Sequence, residues 1–166
     1  SDVVNYAGLH VLVTGATGFI GARLAERLAF ETKASVRALV RDVRKSVWLS
    51  RSPMELVVGD VTQKASLEKA MAGCDIVFHC VGIGGSDETC RAVNIEGTRN
   101  VLEAAQAAGV KRVVYLSSIA VYGPSLPDHA DETAPLVRTG APYGDSKVEA
   151  EEFISCFVLD HSLTVI

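Results

Sequence analysis

The sequence lacks a long apolar run, a basic block and an N-terminal targeting pattern. No apolar segment approaches the roughly 20 residues that a membrane-spanning helix needs, and SDVVNYAG at the start has no signal-peptide character. The 16 Lys and Arg and 20 Asp and Glu residues are interspersed and give a net charge of -4. Because nucleic acids attract clustered basic residues, we predict a cytoplasmic protein with neither a nucleic-acid nor a membrane partner.

The sequence also lacks a metal-binding pattern. Its four cysteines, Cys74, Cys80, Cys90 and Cys156, show no Cys-x-x-Cys spacing and no clustering with histidine. We therefore predict buried, reduced thiols and no metal site. His79 ends an apolar run, and we predict a packed residue there instead of a ligand.

Strand-like runs alternate with helical patterns along the chain. The strand-like runs are His10–Thr14, Ser35–Val40, Leu56–Val58, Ile76–Cys80, Arg112–Ser117 and Leu163–Ile166. The helical patterns are Gly18–Phe30, Leu67–Met71, Glu88–Ala108 and Tyr143–Leu159. This alternation predicts one α/β domain over residues 1–166, a doubly wound parallel sheet. Because the sequence ends within an apolar strand, LTVI, we expect it to be part of a longer protein.

Three glycines stand where the first strand meets the first helix, in TGATGFIG. Gly15 can adopt a backbone conformation closed to other residues, Gly18 lets the main chain approach a pyrophosphate, and Gly21 permits close packing of helix and strand. The helix N-terminus then offers free N–H groups to the phosphates. A tight strand-to-helix turn without a ligand is the alternative, and the Gly-Lys-Ser/Thr ending of a Walker loop is absent.

The end of the second strand is where an acid would bind the 2′-hydroxyl of an NAD ribose. The sequence there is LVRDVRK, so Arg41 occupies the place of the acid and Asp42 follows it. Because arginine suits a 2′-phosphate, we favour NADP over NAD. Asp42 keeps NAD open as the alternative, and Arg44 and Lys45 are equally consistent with a solvated turn.

Tyr143 and Lys147 are four residues apart on a predicted helix and so share one face. A nearby ammonium stabilises a phenolate, which lets a tyrosine exchange a proton with a substrate hydroxyl. Ser118, after the fifth strand, is placed to bind the same oxygen. A chance exposed pair is the alternative for Tyr143 and Lys147, but the glycine motif and Ser118 lie at the same predicted edge of the sheet.

Five motifs in order, TGATGFIG, GDVT, NIEGTRNVLEAA, SSIAVYG and YGDSK, resemble the extended short-chain dehydrogenase/reductase family, in its NAD-dependent epimerase/dehydratase group. The resemblance covers essentially the whole sequence and implies a Rossmann-like fold with a nicotinamide cofactor. The cofactor-binding residues that it implies are Gly15, Thr17, Gly18, Phe19, Ile20, Gly21, Arg41, Asp60, Val61, Val81, Gly82, Asn94, Tyr143 and Lys147. It implies Ser118, Tyr143 and Lys147 as the catalytic set, with Tyr143 as acid and base.

The resemblance also implies a substrate-binding portion after the sixth strand, which this sequence does not contain. A small molecule is the expected substrate, with nucleotide sugars as the commonest class and 3β-hydroxysteroids or dihydroflavonol-type ketones as others. The family usually has two small residues where this chain has Cys80 and Val81. A homodimer through the two long helices is expected, and an NADP(H)-sensing module without turnover is the alternative function.

Overall fold

The computed structural model describes residues 5–166. Six parallel strands form one sheet in the order β3-β2-β1-β4-β5-β6. Their bounds are β1 His10–Thr14, β2 Ser35–Val40, β3 Met54–Val58, β4 Ile76–His79, β5 Arg112–Tyr115 and β6 Thr164–Val165. The strand order reverses between β1 and β4, and in a doubly wound sheet ligands bind at that reversal. The predicted Rossmann-like fold is confirmed.

Helices cover both faces of the sheet. They are α1 Phe19–Glu31, α2 Val43–Ser46, α3 Lys64–Ala70, α4 Asp87–Cys90, α5 Gly97–Ala107 and α6 Pro142–Asp160. Tight 3-10 turns run over Val47–Arg51 and Ile119–Tyr122, and a π-helical turn over Arg91–Glu96 joins α4 to α5. No helix within residues 5–166 combines the length and the apolar character needed to cross a bilayer.

Alternation along the central strands divides the core into two layers. Leu12 on β1 and Val77 on β4 face the layer that contains α3, α5 and α6, where Leu102 and Phe157 are buried. Val11, Val13 and Phe78 face the other layer, which α1 covers through residues such as Ala25 and Leu28. Because β1 and β4 are buried on both faces, their carboxyl ends are held rigidly beneath the loops that follow.

The structure corrects several predicted boundaries. The predicted helix over Glu88–Ala108 is interrupted by the π-helical turn Arg91–Glu96. Strands β4 and β5 end at His79 and Tyr115, before the predicted ends at Cys80 and Ser117, because the chain leaves the sheet to line a cleft. The expectation of buried thiols is wrong for Cys156, which is exposed on α6, and Cys80 is only half-buried.

Candidate active site

The glycine-rich loop after β1 crosses the end of β4 at very close range. Gly15 has a φ of 66°, and a Cβ there would lie 2.8 Å from the carbonyl carbon of Cys80. A Cβ at Gly21 would lie 2.1 Å from the carbonyl oxygen of Gly15. Only glycine fits either position, so loop, strand and helix meet here as the sequence motif predicts.

The N-terminus of α1 is open to an anion. Its first flanking residue is Gly18, no side chain caps the helix, and its first turn contains no acidic residue. The leading amides of a helix have no intrahelical partner and carry a partial positive charge. A pyrophosphate fits this position, since a negative ligand would supply the acceptors that no side chain provides.

A cavity of about 260 Å³ extends from the glycine-rich loop across the ends of β2, β3 and β4. Its lining includes eight of the predicted cofactor residues: Gly15, Thr17, Gly18, Arg41, Asp60, Val61, Val81 and Gly82. The cavity has both polar and apolar walls, which suit the phosphates, the ribose and the adenine of a dinucleotide. The residues therefore fit the adenosine half of a dinucleotide.

A second cavity of about 370 Å³ adjoins the first and shares with it Gly18, Cys80, Val81 and Gly82. Its lining includes six further predicted residues: Phe19, Ile20, Gly21, Ser118, Tyr143 and Lys147. A Cβ at Gly82 would lie 3.8 Å from the Lys147 Nζ and 3.9 Å from the Tyr143 hydroxyl. The two polar groups thus flank one point of a continuous cleft, which fits a nicotinamide riboside.

Lys147 is buried, with 2% of its surface exposed. Its Nζ donates to the carbonyl oxygen of Leu116 at 2.8 Å and lies 4.4 Å from the centre of the Tyr115 ring. Burial lowers the pKa of Lys147 to about 8, and Glu151 opposes that shift. The ammonium is therefore held at the base of the cleft in a form that titrates near neutrality.

Ser118 begins the 3-10 turn after β5. Its Oγ accepts a hydrogen bond from the backbone N–H of Ala120 at 3.2 Å, which caps that turn. The residue lies three positions beyond the end of the strand and lines the second cavity with Tyr143 and Lys147. Because its hydroxyl proton is free to point outward, Ser118 can donate to a substrate oxygen in the cleft.

A buried chain of hydrogen bonds runs behind the cleft. Thr14 Oγ1 lies 2.7 Å from His79 Nδ1, and His79 Nε2 lies 3.0 Å from Thr98 Oγ1. Thr98 donates its proton to the carbonyl oxygen of Asn94 at 2.7 Å, so it accepts from His79 Nε2–H. Burial lowers the pKa of His79 to about 3, which keeps the ring neutral. The predicted packing role of His79 is confirmed.

Asn94 lies in the π-helical turn and does not line either cavity. Its amide exchanges two hydrogen bonds with the backbone of Ile83, at 2.9 and 2.8 Å, and donates to Ser146 Oγ at 2.9 Å. Ser146 in turn donates to the carbonyl oxygen of Tyr143 at 2.7 Å. The structure therefore places Asn94 as a support that ties the loop after β4 to the first turn of α6.

Comparison with known proteins identifies the family. Residues 11–166 match the model of the NAD dependent epimerase/dehydratase family. The chain belongs to this family. It is also a member of the extended short-chain dehydrogenase/reductase group, as the sequence motifs predict.

Individual relatives and solved structures are similar to this chain. The chain is 34% identical to 3 beta-hydroxysteroid dehydrogenase type 7 of Rattus norvegicus, over 93% of this chain and 50% of that protein. It is 39% identical to a putative dihydroflavonol 4-reductase of Synechocystis, over 84% of this chain and 42% of that protein. It superposes on Thermus thermophilus UDP-glucose 4-epimerase in complex with NAD with a TM-score of 0.80 and 27% identity, over 95% and 53% of the two chains. The chain thus spans about half the length of these relatives.

At the ribose end of this epimerase/dehydratase-family site, Arg41 and Asp42 take different roles. The Asp42 carboxylate accepts from the Arg44 backbone N–H at 2.9 Å and caps α2. Arg41 lines the first cavity, and its side chain forms no hydrogen bond or ion pair within the described part of the chain. Asp42 is therefore engaged in its own turn, whereas Arg41 remains available to a ligand.

Sequence reasoning missed part of the lining of the cleft. The residues that it missed are Leu39, Val40, Gly59, Cys80, Ile83, Val93, Leu116 and Ser117. Leu39 and Val40 end a predicted strand, and Leu116 and Ser117 precede Ser118, so the positions of strand ends carried a signal for them. No sequence signal marked Val93, because its direction is set by a π-helical turn. The sequence pattern does not indicate that turn.

Proposed function

We propose that the protein containing this chain is an NAD(P)-dependent oxidoreductase that acts at a secondary alcohol or ketone carbon. The observation that carries the proposal is the placement of the Tyr143 hydroxyl and the Lys147 ammonium beside Gly82, in a cleft continuous with the predicted dinucleotide pocket. A purely sensory module needs the pocket but has no need of a phenol and a buried ammonium at its far end.

The reaction follows from these positions. When bound, a nicotinamide supplies or accepts the hydride. In alcohol oxidation the Tyr143 phenolate takes the hydroxyl proton and becomes a phenol; in ketone reduction the Tyr143 phenol gives its proton to the ketone oxygen and becomes a phenolate. Lys147 stabilises the phenolate form in both directions. Ser118 donates a hydrogen bond to the same substrate oxygen and orients it toward the phenol. An epimerase or dehydratase would use the same proton transfer in its first step.

Two substrate classes fit the proposal. Nucleotide sugars, favoured by the family resemblance, are supported by the likeness to the Thermus thermophilus UDP-glucose 4-epimerase. Apolar ring alcohols are supported by the steroid dehydrogenase and dihydroflavonol reductase relatives. They are also supported by apolar side chains that line the cleft, since Leu116 and Ile83 are each 37% exposed. We rank the apolar class first, because its support includes residues of this chain.

We also propose NADP(H) as the preferred cofactor and a homodimer as the assembled form. The unpaired Arg41 guanidinium at the adenosine end of the cleft supports a 2′-phosphate. Helices α5 and α6 lie side by side on one face of the sheet, where they are available to pair with a second copy. Light scattering of the full protein separates a dimer from a monomer.

The test is the Tyr143→Phe variant of the full protein, assayed with NADPH and NADP. The substrate panel contains UDP-glucose, a 3β-hydroxysteroid and a dihydroflavonol. We expect turnover of one class to fall by roughly 10²- to 10⁴-fold while cofactor affinity changes little. Tyr6→Phe, whose ring packs against Phe78 away from the cleft, is the matched control. Equal turnover in Tyr143→Phe and wild type would overturn the catalytic role of Tyr143. An NADP(H)-sensing module would then be the remaining hypothesis.

A further inference from the structure

The groups in direct contact with the Lys147 ammonium, a backbone carbonyl and an aromatic ring, carry no formal negative charge. The side chain is 2% exposed, its hydrogen bond goes to the carbonyl oxygen of Leu116, and the face of Tyr115 lies beneath it. Within residues 5–166 it takes part in none of the ion pairs. A buried ammonium without a counter-charge is costly, so a nearby carboxylate has a strong effect on it.

Glu151 is the carboxylate that follows Lys147 by one turn of α6. Tyr143, Lys147 and Glu151 are spaced by four residues and therefore lie along one face of the helix. Glu151 is half-buried, and Ser117 Oγ donates a hydrogen bond to its Oε1. Because Ser117 directly follows Leu116, the same stretch of chain binds both the ammonium and the carboxylate.

Apart from Glu151 and Tyr143, the titratable groups that face Lys147 are neutral near pH 7. Tyr143 precedes it on α6, Tyr115 lies on β5, and His79 and Cys80 lie at the end of β4. Burial raises the pKa of Cys80 to about 11 and lowers that of His79 to about 3. Burial, Glu151 and Tyr143 together raise the pKa of Tyr115.

The Tyr115 hydroxyl is a second buried polar group in the pocket that contains Lys147. It is buried and has no hydrogen-bond partner within the described residues. A buried hydroxyl without a hydrogen-bond partner lowers the stability of the fold. Because the Tyr115 hydroxyl is neutral, Glu151 is the one formal negative charge at the back of the described site.

We propose that Glu151 is a positioning residue that keeps Lys147 protonated for its work in the cleft, and that Ser117 holds the Glu151 carboxylate in place for this purpose. The inference rests on the proposed function, in which the ammonium supports the Tyr143 phenolate. It adds a third member to the face of α6 that bears the two catalytic groups. Glu151 lines neither cavity, so it acts through Lys147.

The experiment titrates Lys147 directly in the full protein, without substrate or cofactor. Lysine labelled with ¹³C at Cε is followed by NMR from pH 6 to 11, and the Lys147 signal is assigned by its absence in Lys147→Met. In Glu151→Gln we expect the pKa of Lys147 to fall by roughly one unit below its starting value of about 8. The control is Glu152→Gln, which removes the next carboxylate on α6, paired with Arg138 at the surface.

A Lys147 titration that is unchanged in Glu151→Gln would overturn the proposal. If Glu151→Gln does not fold, Glu151→Asp withdraws the carboxylate by one methylene, and a smaller shift in the same direction is expected from it; no shift overturns the proposal equally. With an active substrate, the alkaline limb of the kcat/KM profile should move to lower pH in step with the NMR shift. The NMR titration needs no turnover, so its outcome is separate from that of Tyr143→Phe.

Discussion

The two ends of the parallel sheet use glycine for different reasons. At the carboxyl end, Gly15 has a φ of 66° and also has backbone atoms of the β4 loop within 2.9 Å of any Cβ it would carry. At the amino end, Gly109 has a φ of 72°, yet nothing lies within 4 Å of its Cβ position. The amino-end glycine only turns the chain. The carboxyl-end glycine turns the chain and admits a second backbone beside it.

The ends also differ in what they bury. Behind the carboxyl end lie six buried polar side chains: Thr14, His79, Asn94, Thr98, Ser146 and Lys147. At the amino end Ser52 is buried as well, but the charged groups stay near the surface, where Asp75 accepts from the His10 backbone N–H and pairs with Lys111. Buried polar groups lower stability unless they are fully paired. The carboxyl end therefore carries features that ligand binding explains and folding alone does not.

The largest predicted effect is the loss of unfolding free energy when a glycine at one end of the sheet, compared with one at the other end, is replaced by alanine. In Gly21→Ala the new Cβ lies 2.1 Å from the Gly15 carbonyl oxygen, so the backbone must move, and we expect a loss of about 3 kcal/mol or more in unfolding free energy. Gly109→Ala strains only φ and should cost about 1 kcal/mol. Urea denaturation of both variants measures the difference. Equal losses would contradict the contrast between the two ends.

Replacing the buried charge should increase stability. The pKa of Lys147 in the folded protein is about 8 against an ordinary value of 10.5, so between these pH values the unfolded state binds more protons. Stability of the wild type therefore rises with pH across this window through Lys147. Lys147→Met removes this penalty of about 3 kcal/mol at pH 7, offset in part by the Leu116 carbonyl that loses its donor, and the penalty that it removes disappears above pH 10.5.

Unfolding curves of wild type and Lys147→Met between pH 7 and 10.5 test that prediction. Taking the difference cancels other groups that titrate in the same range, such as Cys80, whose pKa burial raises to about 11. A constant difference across the whole range would show that the charge of Lys147 costs nothing in the folded protein. Turnover should be lost in the variant at every pH.

A smaller effect is expected from breaking the buried chain of hydrogen bonds. Thr98→Val keeps the shape of the side chain but leaves His79 Nε2–H without its acceptor, which should cost about 2 kcal/mol. Thr89→Val, which removes a hydroxyl bonded to exposed Ser86, should cost less than half of that. Thermal unfolding of the pair compares them, and similar melting temperatures would argue against a structural role for the chain behind the cleft.

Sequence periodicity predicted the sheet because each strand is a short apolar run followed by a turn. The motif glycines, Tyr143 and Lys147 were recognisable because their chemistry depends on local spacing, which a sequence displays. The resemblance implied Asn94 as a site residue but not the groups that it joins, and nothing in the sequence indicated Glu151. Each depends on a partner far along the chain: Asn94 on Ser146 and Glu151 on Ser117. The π-helical turn was missed because its residues read as ordinary helix.

The measurement that tests the central claim most directly is a calorimetric titration of the full protein with NADPH and NADH at fixed salt, for wild type and Gly21→Ala. The account predicts saturable binding to the wild type, tighter for NADPH through Arg41, and loss of binding in a folded Gly21→Ala protein. Tighter binding of NADH would contradict only the proposal that Arg41 binds the 2′-phosphate of NADP(H). Absence of binding by either nucleotide would contradict the account of the carboxyl end as a dinucleotide site.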